Sequence, residues 1–296
     1  MAGSHADGGL SVQDAPASAE ASIGRLRAFF KQSGPVVVAF SGGVDSALVA
    51  WTANEVLGDD ALCVTAVSAS LASDEAADCA ELAAEWGLAW QTVETDEMAR
   101  AAYRANDPDR CFHCKSALMD QLEPLASVRD AVVVLGVNLD DLGDHRPGQH
   151  AARERGALFP LVEAGFAKVD VRRVSAELGL RTWDKPAAAC LASRVPYGTQ
   201  VTVPLLARLD RAEATLRRLG FRQLRVRDYG DTARIELPLD DLAEAIRQRE
   251  ALVEAVRAVG YRYVTLDLEG FRSGNLNGAL ASRISPNSAS SAPEAG

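Results

Sequence analysis

The stretch that decides the fold covers residues 36–50 and reads VVVAFSGGVDSALVA. An apolar run rich in β-branched residues breaks at Ser-Gly-Gly and resumes in a helical pattern, which predicts a strand, a tight loop and a helix. The two glycines allow the backbone to turn sharply and to approach a ligand closely. The helix that follows presents its positive N-terminal end to an anion, so the stretch predicts a phosphate-binding loop.

The residues of this loop are suited to holding a nucleotide. The Ser41 and Ser46 hydroxyls are additional hydrogen-bond donors, and the Asp45 carboxylate can hold Mg²⁺ against the phosphates. The loop has no lysine of the Walker A type, which excludes the common P-loop. An ordinary turn between a strand and a helix is the alternative. The predicted nucleotide-binding residues of the loop are Ser41, Gly42, Gly43, Val44, Asp45 and Ser46.

Length and charge restrict the partners. The chain has 296 residues and a formal net charge of -10, so we expect two domains and no long polyanionic partner such as a nucleic acid. A small anionic substrate fits this charge better. The apolar runs are too short to span a membrane and the N-terminus has no signal-peptide pattern, so we expect a cytoplasmic protein without a membrane partner.

The order of apolar runs predicts the domains. Strands alternate with helical segments over residues 22–181, which predicts an α/β domain with a parallel sheet. Residues 182–200 carry prolines and no clear period, so we expect a loop and linker there. A small α+β domain with the order αββαβ is expected over 201–284, for substrate binding or oligomerisation. The small, polar composition of 1–21 and 285–296 predicts disordered tails.

Other candidate residues follow from the position of the ligand in such sheets. Ligands of parallel α/β sheets lie at the carboxyl ends of the strands. That edge is predicted to collect the phosphate loop, Ser70 after the second strand, and Gly136 after the last one. Asp141 and Asp144 follow closely and are candidates for holding Mg²⁺ or orienting a reacting carboxylate; a capping or turn role is the alternative.

The five cysteines fall into two groups. Cys63 and Cys79 lie in apolar segments and are predicted to be small buried hydrophobes. The other three lie among polar, loop-forming neighbours. Cys111 and Cys114 form a Cys-x-x-Cys at the start of a predicted helix, which indicates a redox pair, half of a zinc site or part of an iron–sulfur site. Cys190 lies in the loop of residues 185–199.

Three motifs together resemble one family. Ser-Gly-Gly-Val-Asp-Ser at 41–46 looks like the PP-loop of the ATP pyrophosphatases, whose domain has the fold of the adenine nucleotide alpha hydrolases. It is followed by Asp-Asp-Leu-Gly-Asp-His-Arg-Pro-Gly at 140–148 and by Cys-Leu-Ala-Ser-Arg at 190–194 with Pro-Tyr-Gly at 196–198. In this order the motifs resemble the LarE family of ATP-dependent sulfur transferases, over residues 23–277. That family acts in synthesis of the nickel-pincer nucleotide cofactor.

The resemblance implies a reaction and a sulfur carrier. ATP adenylates a carboxylate of a pyridinium dicarboxylate mononucleotide, pyrophosphate leaves, and a sulfur nucleophile displaces AMP to give a thiocarboxylate. Cys190 matches the sulfur-bearing cysteine of the family. Arg194 and Lys185 are expected to lower the pKa of its thiol, and a buried structural cysteine is the alternative.

The resemblance also implies a metal cluster. In one branch of the family a Cys-x-x-Cys and the sulfur-bearing cysteine hold a [4Fe-4S] cluster that carries an extra sulfide. Members without the pair give up the sulfur of their own cysteine and keep dehydroalanine. The cluster is favoured here because Cys111, Cys114 and Cys190 are all present; a sacrificial cysteine or free thiols are the alternatives, and the sulfide donor is unknown.

The predicted small domain is rich in arginine. Arg225 and Arg227 alternate on one predicted strand and therefore share a face, as a phosphate clamp requires. The resemblance implies that these two and Arg272 bind the substrate phosphate. Glu213 and Glu236 match acidic positions near the family's site. The family also suggests a homo-oligomer.

Other enzyme classes use a similar phosphate loop. A tRNA thiolase would share the loop and a cluster held by cysteines, but it needs an RNA-binding region that the acidic composition disfavours. An amide-forming synthetase of the GMP or NAD type would have no use for Cys190. A nucleotide sensor without catalytic activity would leave the cysteine loop unexplained.

Overall fold

A computed structural model describes residues 18–143, 147–187 and 189–272 of the chain. Seven strands are present in these ranges: β1 Val36–Ala39, β2 Ala61–Val67, β3 Ala89–Glu94, β4 Val132–Leu135, β5 Arg225–Tyr229, β6 Thr232–Glu236 and β7 Tyr263–Leu266. The same ranges contain eleven α-helices: α1 Ala19–Ser33, α2 Val44–Leu57, α3 Ser73–Glu85, α4 Ala101–Ala105, α5 Arg110–Arg129, α6 Pro147–Glu154, α7 Pro160–Glu163, α8 Lys168–Glu177, α9 Val203–Arg218, α10 Leu242–Arg247 and α11 Arg249–Ala258.

The first sheet has four parallel strands in the order β3-β2-β1-β4. Alternation along β1 sends Val36 and Val38 into an apolar cluster with α1, α2, α3 and α8, and Val37 into a second cluster with α5 and α6. The protein is therefore an α/β protein with helices on both faces of a parallel sheet, as the alternation of apolar runs predicts. Because β2 and β4 flank β1 on opposite sides, the order reverses at β1, where such sheets bind ligands.

The second sheet has three strands in the order β5-β6-β7. The β5 and β6 pair is antiparallel and the β6 and β7 pair is parallel. The single helix expected before the last strand of the αββαβ order divides into a 3-10 turn, α10 and α11, because the backbone leaves the helical region at Gln248 (φ -91°, ψ 14°). The amphipathic pattern continues through this break, which is why periodicity predicts a single helix.

The loop that carries Cys190 packs on the C-terminal elements. Leu191, Ala192 and Val195 are 0–1% exposed and lie in one apolar cluster with Leu206 and Leu209 of α9. The Leu191 amide also donates to the Ser70 carbonyl at 2.8 Å, after β2. The cysteine loop is therefore held by α9 and by the segment after β2. The predicted domain boundary at residues 182–200 stays a prediction.

Several predictions fall at the limits of the described residues. Helix α1 begins at Ala19, inside the range predicted as a tail, and the Ser18 hydroxyl accepts a hydrogen bond from the Ala21 amide at 3.2 Å. The rest of the predicted N-terminal tail, the predicted C-terminal tail and Asp144 lie outside the described residues. Among the described helices, none is both long enough and apolar enough to cross a membrane.

Candidate active site

The phosphate loop joins β1 to the N-terminus of α2. Gly42 has φ +66°, and a Cβ atom there would lie 2.9 Å from the Cys79 sulfur, so the turn requires glycine. The Ser46 hydroxyl lies 3.0 Å from the Ser41 hydroxyl and donates to the Gly43 carbonyl at 3.2 Å, which closes the loop. Ser41 is exposed whereas Ser46 is 6% exposed. The free amides of α2 and the Ser41 hydroxyl are therefore the loop's donors to an anion.

Gly136 meets the loop from the neighbouring strand. A Cβ atom at Gly136 would lie 2.6 Å from the Ser46 nitrogen and 2.8 Å from its Cα. Only glycine permits this approach of two backbones. Gly136 lies on the wall of the cavity described below and fixes the position of the phosphate loop, while its predicted contact with a nucleotide stays a prediction.

Asp45 is held by two donors that come from later in the chain. The Asn138 side-chain amide donates to Asp45 Oδ1 at 3.1 Å, and the Lys168 ammonium forms a short ion pair with Asp45 Oδ2. The Asn138 backbone amide donates to Asp141 Oδ2 at 3.2 Å, a contact that fits the turn role named above as the alternative for Asp141. Mg²⁺ bound at Asp45 would therefore displace the Lys168 ammonium. The donor chemistry fits the ion, because Asp45 is a carboxylate beside a phosphate-binding loop.

Lys168 is a residue that sequence reasoning missed. It is the first residue of α8, and its backbone amide donates to Asp140 Oδ2 at 2.8 Å. A lysine at the positive end of a helix is unfavourable unless an anion lies nearby. That unfavourable placement was the signal available in the sequence.

One cavity of about 340 Å³ connects the phosphate loop to the cysteine loop. Its wall contains the predicted residues Ser41, Ser46, Ser70, Gly136, Cys114 and Cys190. A larger concavity of about 730 Å³ lies along α11, but it is an open surface that contains none of the predicted site residues. The enclosed cavity is therefore the candidate active site.

The predicted cluster cysteines differ in position. Cys114 and Cys190 are half-buried on the cavity wall, whereas Cys111 is exposed on the first turn of α5. Burial, and then the charge of Cys190, raise the pKa of the Cys114 thiol to about 12. In the part of the chain that the structure describes, no three His, Cys, Asp or Glu side chains lie close enough to hold a metal. As placed, the three thiols do not form the predicted cluster site.

The two remaining cysteines are structural. Cys63 and Cys79 are fully buried, which confirms the interpretation of their apolar segments. Burial raises the pKa of Cys63 to about 12 and that of Cys79 to about 11. Both thiols therefore stay protonated and inert at neutral pH.

Arg194 and Lys185, the two cations expected to act on the Cys190 thiol, have other partners. Arg194 is 2% exposed, and its Nε and Nη2 donate to the two Glu213 carboxylate oxygens at 2.9 Å each. Arg194 Nη1 donates to the Cys190 carbonyl at 3.0 Å. Lys185 Nζ lies 2.7 Å from Glu75, 2.5 Å from Asp78 and 3.1 Å from the Gly42 carbonyl. Arg194 therefore holds the backbone of the cysteine loop and Lys185 holds the phosphate loop, and their predicted effect on the Cys190 thiol stays a prediction.

Arg110 is the cation that acts on the cysteines, and the sequence analysis did not identify it. It is 5% exposed and donates to the Ala192 carbonyl at 2.8 Å. Burial lowers the pKa of Arg110, but the charges of Cys190 and Cys111 together raise it above the ordinary value. Arg110 is therefore a buried cation within electrostatic range of both cysteines.

Arg225 and Arg227 share one face of β5, as alternation predicts, but their charges are balanced differently. Arg227 Nη2 donates to Glu236 at 2.8 Å, and Glu236 also accepts from Arg234. Arg225 donates to the Leu224 and Ala187 carbonyls at 2.7 and 2.6 Å and has no carboxylate partner among the described residues. Burial and the positive charges of Arg194 and Arg227 lower its pKa to about 10. Arg225 is therefore a buried cation that an anion would stabilise.

Arg194, Arg225 and Arg227 form an arginine cluster beside the cysteine loop. The other predicted substrate-binding residues lie around it. Glu213 is fully buried; burial raises its pKa, but the charge and hydrogen bonds of Arg194 hold that pKa below the usual range. Arg272 is about half exposed and forms a short ion pair with Glu269. Its neighbour Phe271 packs its ring 5.1 Å from the Arg225 guanidinium. Glu213 thus balances the cluster, and Arg272 lies at its outer side.

Known proteins resemble this chain along most of its length. The NAD synthase family profile matches residues 26–119. An uncharacterised protein of Synechocystis sp. is 48% identical over 265 residues, covering 88% of this chain and 98% of the relative. The pyridinium-3,5-bisthiocarboxylic acid mononucleotide synthase of Lactiplantibacillus plantarum is 40% identical over 257 residues, covering 86% of this chain and 93% of the relative. With a PP-loop, a cavity that reaches the cysteine loop and this identity to a characterised synthase, the chain belongs to the LarE family.

Proposed function

We propose that this protein adenylates a carboxylate of a pyridinium dicarboxylate mononucleotide with ATP and converts it to a thiocarboxylate. The single observation that carries the proposal is the shared cavity. Its wall includes residues of the phosphate loop as well as Cys190, so an acyl adenylate formed at the loop would lie near a sulfur nucleophile. The name of the Lactiplantibacillus relative describes a product of this class.

In the adenylation step the phosphate loop positions the ATP phosphates. A substrate carboxylate oxygen attacks the α-phosphorus, and the bond to pyrophosphate breaks with its electron pair. The α2 amides and the Ser41 hydroxyl would stabilise the phosphate charge. Lys168 lies at Asp45 and would neutralise the phosphates when Mg²⁺ occupies the Asp45 carboxylate. Mg²⁺ supplies further charge neutralisation when bound.

In the sulfur step the Cys190 thiolate attacks the adenylated carbonyl carbon. A carbon–sulfur bond forms, the carbon–oxygen bond to AMP breaks, and AMP leaves with the electron pair. A water molecule or hydroxide then takes the Cys190 Hα as a proton, the Cα–H electron pair forms a Cα=Cβ double bond, and the Cβ–sulfur bond breaks with its pair on sulfur. Dehydroalanine stays in the chain and the thiocarboxylate is released. Arg110 supports this route, because its buried guanidinium donates to the Ala192 carbonyl, two residues after Cys190, and places a positive charge beside the cysteine loop.

A [4Fe-4S] cluster on Cys111, Cys114 and Cys190 is the alternative sulfur carrier implied by the family. Thiolates are suitable ligands for it, and Cys114 and Cys190 share the cavity. As placed, however, the three side chains do not form a metal site, so we assign no step to a cluster. The source of sulfide and a homo-oligomeric assembly stay predictions.

The arginine cluster is the proposed site for the substrate phosphate. Arg225 carries the argument because it is 9% exposed and has no carboxylate partner in the described part of the chain. It donates to the Ala187 carbonyl, three residues before Cys190, which places it next to the cysteine loop. A phosphate bound there would hold the mononucleotide away from the reacting bond and position it without taking part in the chemistry.

The decisive experiment combines a nucleotide assay with protein mass. Pyrophosphate release should require the dicarboxylate mononucleotide, and Asp45→Ala should abolish it, with Asp59→Ala on the exposed surface as the matched control. After one turnover without added sulfide, the protein should lose the mass of hydrogen sulfide at Cys190. Dependence on tRNA or on ammonia as the acceptor would contradict the proposal. Full activity of Cys190→Ala would also contradict it.

Iron analysis distinguishes the two sulfur carriers. The Cys190 route predicts one turnover per chain and normal first-turnover activity in Cys111→Ala. Multiple turnovers that require about four irons per chain, and that are lost in Cys111→Ala, would assign the sulfur to a cluster instead. Anaerobic purification is needed for both measurements.

A further inference from the structure

Glu97 is a buried carboxylate that the proposed chemistry does not use. It follows β3 in a 3-10 turn, and only 1% of its surface is exposed. Its Oε1 accepts a hydrogen bond from the Ser70 hydroxyl at 3.0 Å, and that hydroxyl also lies 2.9 Å from the Ser68 hydroxyl. Its Oε2 has no hydrogen-bond partner in the described residues.

The unpaired oxygen belongs to a side chain on the cavity wall. A buried carboxylate oxygen without a donor is unfavourable, and native proteins rarely retain one without a function. The Ser70 hydroxyl fixes the other oxygen and thereby the orientation of the group. The arrangement calls for a hydrogen-bond donor supplied by a ligand.

The position of Glu97 in the sheet selects which part of a nucleotide can reach it. Glu97 follows β3, two strands away from β1 in the order β3-β2-β1-β4. At about 4.8 Å per strand this places it roughly 10 Å from the phosphate loop. The 6-amino group of adenine is the hydrogen-bond donor of ATP that lies farthest from its phosphates, whereas the ribose hydroxyls lie closer to them.

The part of the cavity between the phosphate loop and Glu97 suits a flat aromatic base. Its wall includes the apolar side chains of Phe40, Val64, Leu118 and Val137. Apolar walls with a few polar groups at fixed positions are typical of small-molecule sites. A purine held between such walls would direct its edge to a polar group at the end of the cavity.

We propose that Glu97 accepts a hydrogen bond from the 6-amino group of ATP and thereby selects adenine over 6-oxopurines. The inference rests on the proposed use of ATP and adds the residue that reads the base. ITP carries an oxygen in place of the amino group, so in the pose of ATP it would place an acceptor against the carboxylate and lose this hydrogen bond.

The test is calorimetric titration of the purified full chain with ATP, ITP and 2′-deoxy-ATP, each with Mg²⁺. Wild-type protein should bind ATP at least about tenfold more tightly than ITP, as expected for loss of a hydrogen bond to a charged group. 2′-Deoxy-ATP should bind as ATP does. In Glu97→Gln the amide can rotate to donate to the 6-oxygen, so the preference for ATP should fall or reverse. Glu94→Gln, the same change at an exposed residue of β3, should keep the wild-type preference.

Each alternative result overturns the proposal in a recognisable way. Equal affinity of wild-type protein for ATP and ITP would remove Glu97 from base recognition while leaving the proposed function intact. Weak binding of 2′-deoxy-ATP with equal ATP and ITP affinities would assign the carboxylate to the ribose instead. Absence of binding by any of the three nucleotides would overturn the proposed function as well. The wild-type comparison decides even if Glu97→Gln does not fold.

Discussion

The phosphate loop and the arginine cluster both gather positive charge near the cavity, but they balance it differently. At the loop, each lysine faces carboxylates: Lys168 pairs with Asp45, and Lys185 with Glu75 and Asp78. In the cluster, Arg194 and Arg227 pair with Glu213 and Glu236, whereas Arg225 has only carbonyl partners among the described residues. A buried cation that is paired with a carboxylate therefore supports the fold, whereas a buried cation without such a pair indicates a place for an anion.

The largest effect is expected for the paired cation Arg194. Arg194→Met leaves the fully buried Glu213 with Arg217 as its one remaining ion-pair partner among the described residues. We expect the free energy of unfolding to fall by about 3–5 kcal/mol, because a buried charge loses its partner. Urea unfolding measures it, with Arg218→Met on the exposed face of α9 as the control. A loss equal to that of the control would mean that Glu213 is balanced by other groups.

The second prediction contrasts Arg225 with Arg227. Arg225→Met should weaken binding of the mononucleotide by about 10- to 100-fold, because a phosphate contact to a charged group is lost. ATP binding should stay unchanged. Arg227→Met should chiefly lower stability, since Glu236 then keeps only part of its hydrogen bonds. Calorimetric titration of both ligands into both variants measures this. A larger affinity loss in Arg227→Met would reverse the roles assigned to the two arginines.

The third prediction concerns Lys168 at the loop. Its ammonium pairs with Asp45 in the structure and is 36% exposed in its side chain, so it can move to phosphate when Mg²⁺ takes the carboxylate. Lys168→Met should reduce the rate of pyrophosphate release by about tenfold, with Lys31→Met on α1 as the control. An unchanged rate would show that Lys168 only balances Asp45.

The smallest effect is expected for Asp78, a partner of Lys185. Burial raises the pKa of Asp78, but the hydrogen bonds and charges of Lys185 and Arg181 hold it below the usual value. A lowered pKa contributes stability above the unfolded pKa of about 3.9, and this contribution is lost as pH falls through the folded pKa. Asp78→Asn should therefore be less stable at pH 7, by less than about 1 kcal/mol, and the difference should shrink as the pH falls below 4. Thermal unfolding between pH 7 and 3 measures it.

The sequence predicts the backbone of the site better than its charge pairing. The run over 36–50 specifies β1, the loop and α2, because periodicity and glycine act over a few neighbouring residues. Lys168, Arg110 and Glu97 were not identified, since their partners lie 123, 82 and 27 residues away. Alternation predicts correctly that Arg225 and Arg227 share a face, but it cannot predict that only Arg227 meets a carboxylate.

The cysteines show the same limit. Their neighbours in the sequence predict correctly that Cys63 and Cys79 are buried. Whether the other three converge depends on how α5 packs against the loop of Cys190, which is a tertiary property. The structure brings Cys114 and Cys190 to one cavity and leaves Cys111 exposed.

The contact of Gly136 with Ser46 has a mechanical consequence. Because the two backbones touch without an intervening side chain, the phosphate loop cannot shift toward β4 unless the segment after β4 shifts with it. That segment carries Asn138 and Asp141, and the Asn138 side chain also donates a hydrogen bond to Asp45. The loop and the segment are therefore fitted to each other, and any side chain larger than hydrogen at position 136 would have to displace both strand ends at once.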